Sequence, residues 1–184
     1  MIRLAGASAP PAISDEIDVP RYSRGFVISM DQVESETLRQ VAAYWSALRG
    51  ARKFPTRNDL SPAGMKGLLR HVTLVRVLDG GVDYEFRIVG DVQVQAYGEN
   101  FRGKTLSEVG RKYSKFAEGL KIFYDGARMG GEPFGYRGWI GRDMPDTRYS
   151  YHECAFFPLG ESDLAVDHIL VAGIYMARGS GKLD

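Results

Sequence analysis

Along residues 82–89 apolar and polar side chains alternate: Val82, Tyr84, Phe86 and Ile88 share one side, and Asp83, Glu85 and Arg87 the other. That period of two predicts a half-buried antiparallel strand. Residues 71–78, His-Val-Thr-Leu-Val-Arg-Val-Leu, read as its partner, and Asp79-Gly80-Gly81 between them supplies the positive φ of a tight hairpin turn. A second period runs through Leu38, Val41, Ala42, Trp45 and Leu48, one face of a helix within residues 31–50. Asp31 or Ser35 suits its start and Gly50 its end, with Glu34, Glu36, Arg39 and Gln40 outside. The same spacing at Tyr113, Phe116, Ala117, Leu120, Phe123, Tyr124 and Ala127 predicts a helix over 112–128, ended by Gly130-Gly131. Gly119 inside it costs about 1 kcal/mol relative to alanine and suits close packing on a sheet. Residues 133–141, 148–158 and 165–176 are rich in Tyr, Phe, Trp, Val and Ile and predict three more strands.

The remaining segments fall around these elements. Residues 1–30, with Pro10, Pro11 and Pro20, read as a partly disordered or strap-like tail holding a short strand near Gly25–Ser29. Residues 31–60 form the N-terminal helix and its Arg/Pro-rich connector, and Ser61-Pro62 opens a short helix over 62–69. After Gly90, short helical pieces lead to residue 111, and residues 179–184 form a C-terminal tail. Two strands alone would leave an apolar face bare. An α+β fold with five strands in one antiparallel sheet, helices on one face and an extra N-terminal helix covers it.

The local sequence adds a resemblance. The run Tyr44-Trp45-Ser46-Ala47-Leu48-Arg49-Gly50-Ala51-Arg52-Lys53-Phe54-Pro55-Thr56-Arg57, then Asp59-Leu60-Ser61-Pro62, resembles the opening of a bacterial family of standalone PAS-like proteins, PAS fold family 5. Tyr84-Glu85-Phe86-Arg87-Ile88-Val89-Gly90, with Tyr97-Gly98 and Phe101-Arg102-Gly103-Lys104-Thr105-Leu106, is similar to the same family's second strand and following helical region. The likeness spans residues 38–176, and its specific part is 44–106. It implies a PAS-like domain over residues 61–178, a non-catalytic sensory or signalling role, and an N-terminal helix of the kind that often serves dimerisation. A separate protein, or a second copy in a homodimer, is the expected partner.

Composition removes several function classes. The 184 residues carry a net charge of +1, with Lys and Arg scattered among Asp and Glu, so no nucleic-acid surface is expected. No run of about 18 apolar residues offers a membrane span, and the reading is cytoplasmic. The single cysteine, Cys154, permits no intrachain disulfide and no cysteine metal cluster, and reads as a buried structural thiol. The predicted helix 112–128 has no histidine for haem, and region 91–111 has no cysteine for a flavin adduct. No cofactor or metal is predicted, and a haem- or flavin-bound sensor stays as an alternative. Gly98-Glu99-Asn100-Phe101-Arg102-Gly103-Lys104-Thr105 fits a phosphate-loop pattern literally, yet lacks the strand before it and the parallel βαβ context.

The candidate sites follow. A PAS cavity between sheet and helices would be lined by Tyr84, Phe86, Tyr97, Phe101, Phe116, Phe123, Tyr136, Arg137 and Tyr151, and would suit a small ligand of unknown identity. Arg137 or Arg148 would reach in to hold a carboxylate. Arg49, Arg52 and Arg57 flank the helix–connector junction, either as a partner or anion contact or as salt bridges fixing the helix. A third reading is a small enzyme using Glu153 with His152 or His168, the two histidines facing each other on neighbouring strands.

Overall fold

The computed structural model describes residues 25–138 and 149–177; within the second span its account of side chains covers residues 153–175. Six strands form one antiparallel sheet: β1 (Gly25–Ile28), β2 (Val72–Leu78), β3 (Asp83–Val89), β4 (Phe134–Gly138), β5 (Tyr149–Leu159) and β6 (His168–Ala177). Their order across the sheet is β1-β4-β5-β6-β2-β3. The five expected strands are all present. The sixth is β1, from the stretch with only a faint strand signal, which pairs with the outer edge of β4.

Among the described residues four helices accompany the sheet: α1 (Glu36–Arg49), α2 (Asp91–Tyr97), α3 (Leu106–Gly110) and α4 (Ser114–Gly130). Ser35 decides where α1 starts, because its side chain accepts the Leu38 N–H. Residues 30–32 form a separate 3-10 turn. The helix expected over 62–69 is not formed. The chain there runs in turns, with Gly67 at φ +86°, and a 3-10 turn at Leu69–His71 leads into β2.

Helix α4 lies on one face of the sheet, and the extra N-terminal helix α1 takes the opposite one. Phe156 and Phe157 are neighbours on β5 and so point to opposite sides. Phe156 stacks on Phe123 of α4, with ring centroids 5.3 Å apart. Phe157 meets Trp45 of α1, whose indole N–H donates to the Pro158 carbonyl at 2.8 Å. Helix α4 therefore covers an inner face and α1 an outer one. Each helix buries the stripe its sequence set out: Leu38, Val41 and Trp45 on α1, and Phe116, Ala117, Leu120, Phe123, Tyr124 and Ala127 on α4.

The strand alternation in the hairpin holds only in part. Tyr84 and Phe86 are buried on the inner face, but the β2–β3 register shifts between Leu74 and Val75. The bulge inserts Arg87 and turns Ile88 outward, where it is 38% exposed. Val82 belongs to the turn and is 74% exposed. Gly90 then sets the angle of entry into α2. Its N–H donates to the Val72 carbonyl at 2.9 Å, and a Cβ there would collide with the Arg70 carbonyl.

Gly119 departs from its expected role. A Cβ added to it meets nothing within 4 Å, so no close approach to the sheet requires glycine. Substituting Gly119→Ala is expected to raise stability by about 0.5–1 kcal/mol through the lost backbone entropy of glycine. Chemical denaturation of both forms measures this directly, and an unchanged or lower midpoint would contradict it.

Candidate functional site

Two polar or aromatic assemblies stand on opposite sides of β5. On the outer face, Glu153 is 2% exposed and sits directly opposite Arg137 of β4. Its carboxylate accepts the Glu34 N–H at 3.1 Å and the Ser35 N–H at 2.7 Å, so it closes the start of α1. Arg137 donates to Glu153 Oε1 at 2.9 Å and to the Gln32 carbonyl at 2.8 Å, and its Nη1 lies 3.1 Å from Glu34. Burial pushes the Glu153 carboxyl up; the Ser35 N–H, the Arg137 guanidinium and the Glu34 N–H outweigh it and leave the group below its ordinary value. A carboxylate so held is a structural fastening for a helix.

This geometry corrects two expectations. Arg137 does not line the inner cavity; its position opposite Glu153 puts it on the α1 side. Glu153 and His168 are not assembled into a catalytic pair. His168 pairs with Leu159, six residues along β5, about 20 Å away at strand rise, and its Nδ1 meets Asp167 at 2.7 Å. The β5–β6 register also places residue 152 beside Ile174 and Tyr175 rather than across from His168. The side chains of Tyr151 and His152, and all of Arg148, lie outside the described residues.

On the inner face the expected aromatics do come together. Phe86, Phe101, Tyr97 and Phe116 form a chain of ring contacts, with Tyr97 5.4 Å from Phe101 and 5.0 Å from Phe116. Phe123 contacts Tyr136 at 4.6 Å. Tyr84 ends the row: its hydroxyl donates to Asp125 at 2.5 Å, and Lys121 holds the same carboxylate at 2.7 Å. Burial and the Asp125 charge raise the phenol well above its ordinary value, so it stays protonated. The Tyr97 and Tyr175 hydroxyls meet at 3.4 Å across α2 and β6.

Two inner-face residues were not singled out by their sequence. Gln93 on α2 is 1% exposed and Thr73 on β2 is 2% exposed. Gln93 Nε2 and Thr73 Oγ1 have no hydrogen-bond partner. The available signal was spacing: Gln93 lies four residues before Tyr97 and so shares its helix face.

The other candidates lie at the connector after α1 and in the loop before α3. Arg52 donates to the Leu48 carbonyl at the end of α1 and to Asp59 at 2.8 Å, Arg49 stacks over Trp45 at 5.2 Å, and Arg57 lies in the 3-10 turn beyond. The salt-bridge and capping reading accounts for Arg52. In the phosphate-loop-like run, Gly98 ends α2, Thr105 caps α3, and Lys104 donates to Glu99 at 2.5 Å. Lys104 and Lys112 hold the Glu99 carboxyl down to about 2. The loop bonds to the edge of β3 through the Lys104 carbonyl and the Gly103 N–H, so it closes the sheet.

Residues 33–117 match the family model described as a PAS domain. Over those residues the chain is similar to PAS domains. The match runs from just before α1 into α4, and the described strands β4 to β6 complete the sheet. No curated protein and no solved structure matches the chain. PAS-like domains are in general sensory or signalling modules and are generally non-catalytic. No described helix is long and apolar enough to cross a membrane.

The outer-face junction makes a pH-dependent prediction. A carboxyl held low in the fold stabilises it fully above the unfolded value near 4.5, and this contribution disappears as pH falls through the lower folded value. Glu153→Gln leaves Arg137 without its buried partner and is expected to cost about 3–5 kcal/mol at neutral pH. Melting temperatures of both proteins should converge as pH falls below the unfolded carboxyl value and through the lower folded one; parallel curves would contradict the assignment. The neighbouring thiol gives a second test. Cys154 is fully buried on the inner face, and burial raises it far above its ordinary value. Native protein should resist a thiol reagent such as Ellman's for hours and react at once when unfolded.

Proposed function

We propose that this chain is a non-catalytic, cytoplasmic signalling module that reports through protein contacts made by its N-terminal segment, with residues 31–60 as the contact element and residues 61–178 as the sensing body. The observation that carries this reading is the way α1 is held. An amphipathic helix lies on the outer sheet face with its start fastened by one buried carboxylate, Glu153. Its outward side offers Glu36, Arg39, Gln40, Ala43 and Ala47 to a partner or to a second copy. The inner face, lined by Phe86, Tyr97, Phe101 and Phe116, is the ligand side in this reading.

Light scattering on the full chain and on Ala43→Arg tests self-association: a dimer that the substitution dissociates supports a homodimer through α1. For a monomeric result, a photo-crosslinking residue placed at position 43, and as a control at exposed position 118 on α4, is used in cells. A discrete adduct from 43 alone supports the proposal. Equal adducts from both positions, or none from either, would sink it.

A further inference from the structure

The fold brings the start of α2, which carries Gln93, beside the strand that carries Thr73. Gly90, the N-cap of α2, donates its N–H to the Val72 carbonyl, so α2 starts beside Thr73. Gln93 lies in that first turn and belongs to the buried face of α2, together with Ala96 and Tyr97. Thr73 pairs with Val171 of β6, and one turn on from Gln93, Tyr97 reaches Tyr175 of the same strand. Between Val171 and Tyr175 on this face comes Gly173, which has no side chain and pairs with Cys154. A short polar strip thus lies under α2, bounded by aromatic rings.

A buried hydrogen-bonding group left unmet costs stability, and two of them on one apolar face are retained against that cost. Charge narrows what would satisfy them. Among the described residues the buried polar or charged side chains are Thr73, Gln93 and Glu153, and Glu153 belongs to the opposite face. His71, two positions before Thr73, also has an unpartnered Nδ1, but burial and the Arg70 charge hold its imidazole below the ordinary value, so at neutral pH it offers a charged guest no counter-ion. The Gln93 amide offers a donor, and the Thr73 hydroxyl either donates or accepts.

We propose that Gln93 and Thr73 are the polar anchors of a binding site for a small neutral molecule with an apolar body and a carbonyl oxygen. The proposal rests on the reading of the inner face as the ligand side, and it does not depend on what α1 contacts. Cys154 and Gly173 pair on the same sheet face, and the Tyr97 and Phe116 rings contact one another over it.

A matched trio of probes separates the terms: acetophenone carries the carbonyl, ethylbenzene has the same shape without an acceptor, and benzoate adds a charge. Titrations of the full chain followed by protein NMR shifts are expected to give binding in the order acetophenone, then ethylbenzene, with benzoate undetected. Thr73→Val and Gln93→Met should each weaken acetophenone about fivefold and leave ethylbenzene unchanged. Both substitutions remove an unmet polar group and should raise the melting temperature of the free protein. Equal binding of acetophenone and ethylbenzene, preferred binding of benzoate, or no binding of any probe overturns the proposal. A fall in melting temperature for both variants would also overturn it, by revealing partners within the fold. The crosslinking result at position 43 bears on neither outcome, so the two proposals fail separately.

Discussion

The Glu153 carboxylate is the interaction on which the arrangement of this molecule turns. A charge this deeply buried is tolerable only when its lone pairs are met, and here two backbone N–H groups and a guanidinium meet them. Those donors come from different parts of the chain: the segment entering α1 and strand β4. Satisfying one side chain therefore fixes the N-terminal helix to the sheet and ties β4 to β5 at the same point. Arg137 extends the junction to the Gln32 carbonyl, in the turn that follows β1. Apart from this polar knot, α1 is held by the burial of Leu38, Val41 and Trp45 and by the Trp45 indole hydrogen bond to the Pro158 carbonyl.

The inner face is organised on another principle. Its rings touch one another in a continuous series from Tyr84 to Phe134, and the Tyr84 hydroxyl is committed to Asp125. Aromatic contacts of this kind favour tilted and edge-on geometry, which leaves the shape of the interior dependent on a few ring orientations. Thr73 and Gln93 are the exceptions in this apolar setting.

How much of this could be read from the sequence depended on whether the signal was local. Helices α1 and α4 were legible because their apolar stripes repeat at helical spacing, and β2 and β3 because of alternation around a Gly-rich turn. The bulge at Arg87 was not, since the pairing partner decides register. Strand β1 was faint because four residues carry little pattern, and its existence depends on the open edge of β4. The segment 62–69 misled because Ser-Pro is a good helix start, whereas Gly64 and Gly67 favour turns. At the site, the aromatics were found as a class and Arg137 was assigned to the wrong face, because the parity of β4 follows from its pairing with β5. Glu153 drew attention for its chemistry when its role was architectural. Gln93 passed unnoticed because a glutamine in a short helix is ordinarily solvated.

Glu153 and Cys154 are consecutive residues, one fastening the outer helix and the other facing the interior beside Gly173. At this point the sheet is a single peptide unit thick. The Cα atoms of both residues belong to one planar peptide unit, so a displacement of the β5 backbone on one face is carried to the other. On the reading of the inner face as the ligand side, the strand would itself be the lever between interior and exterior.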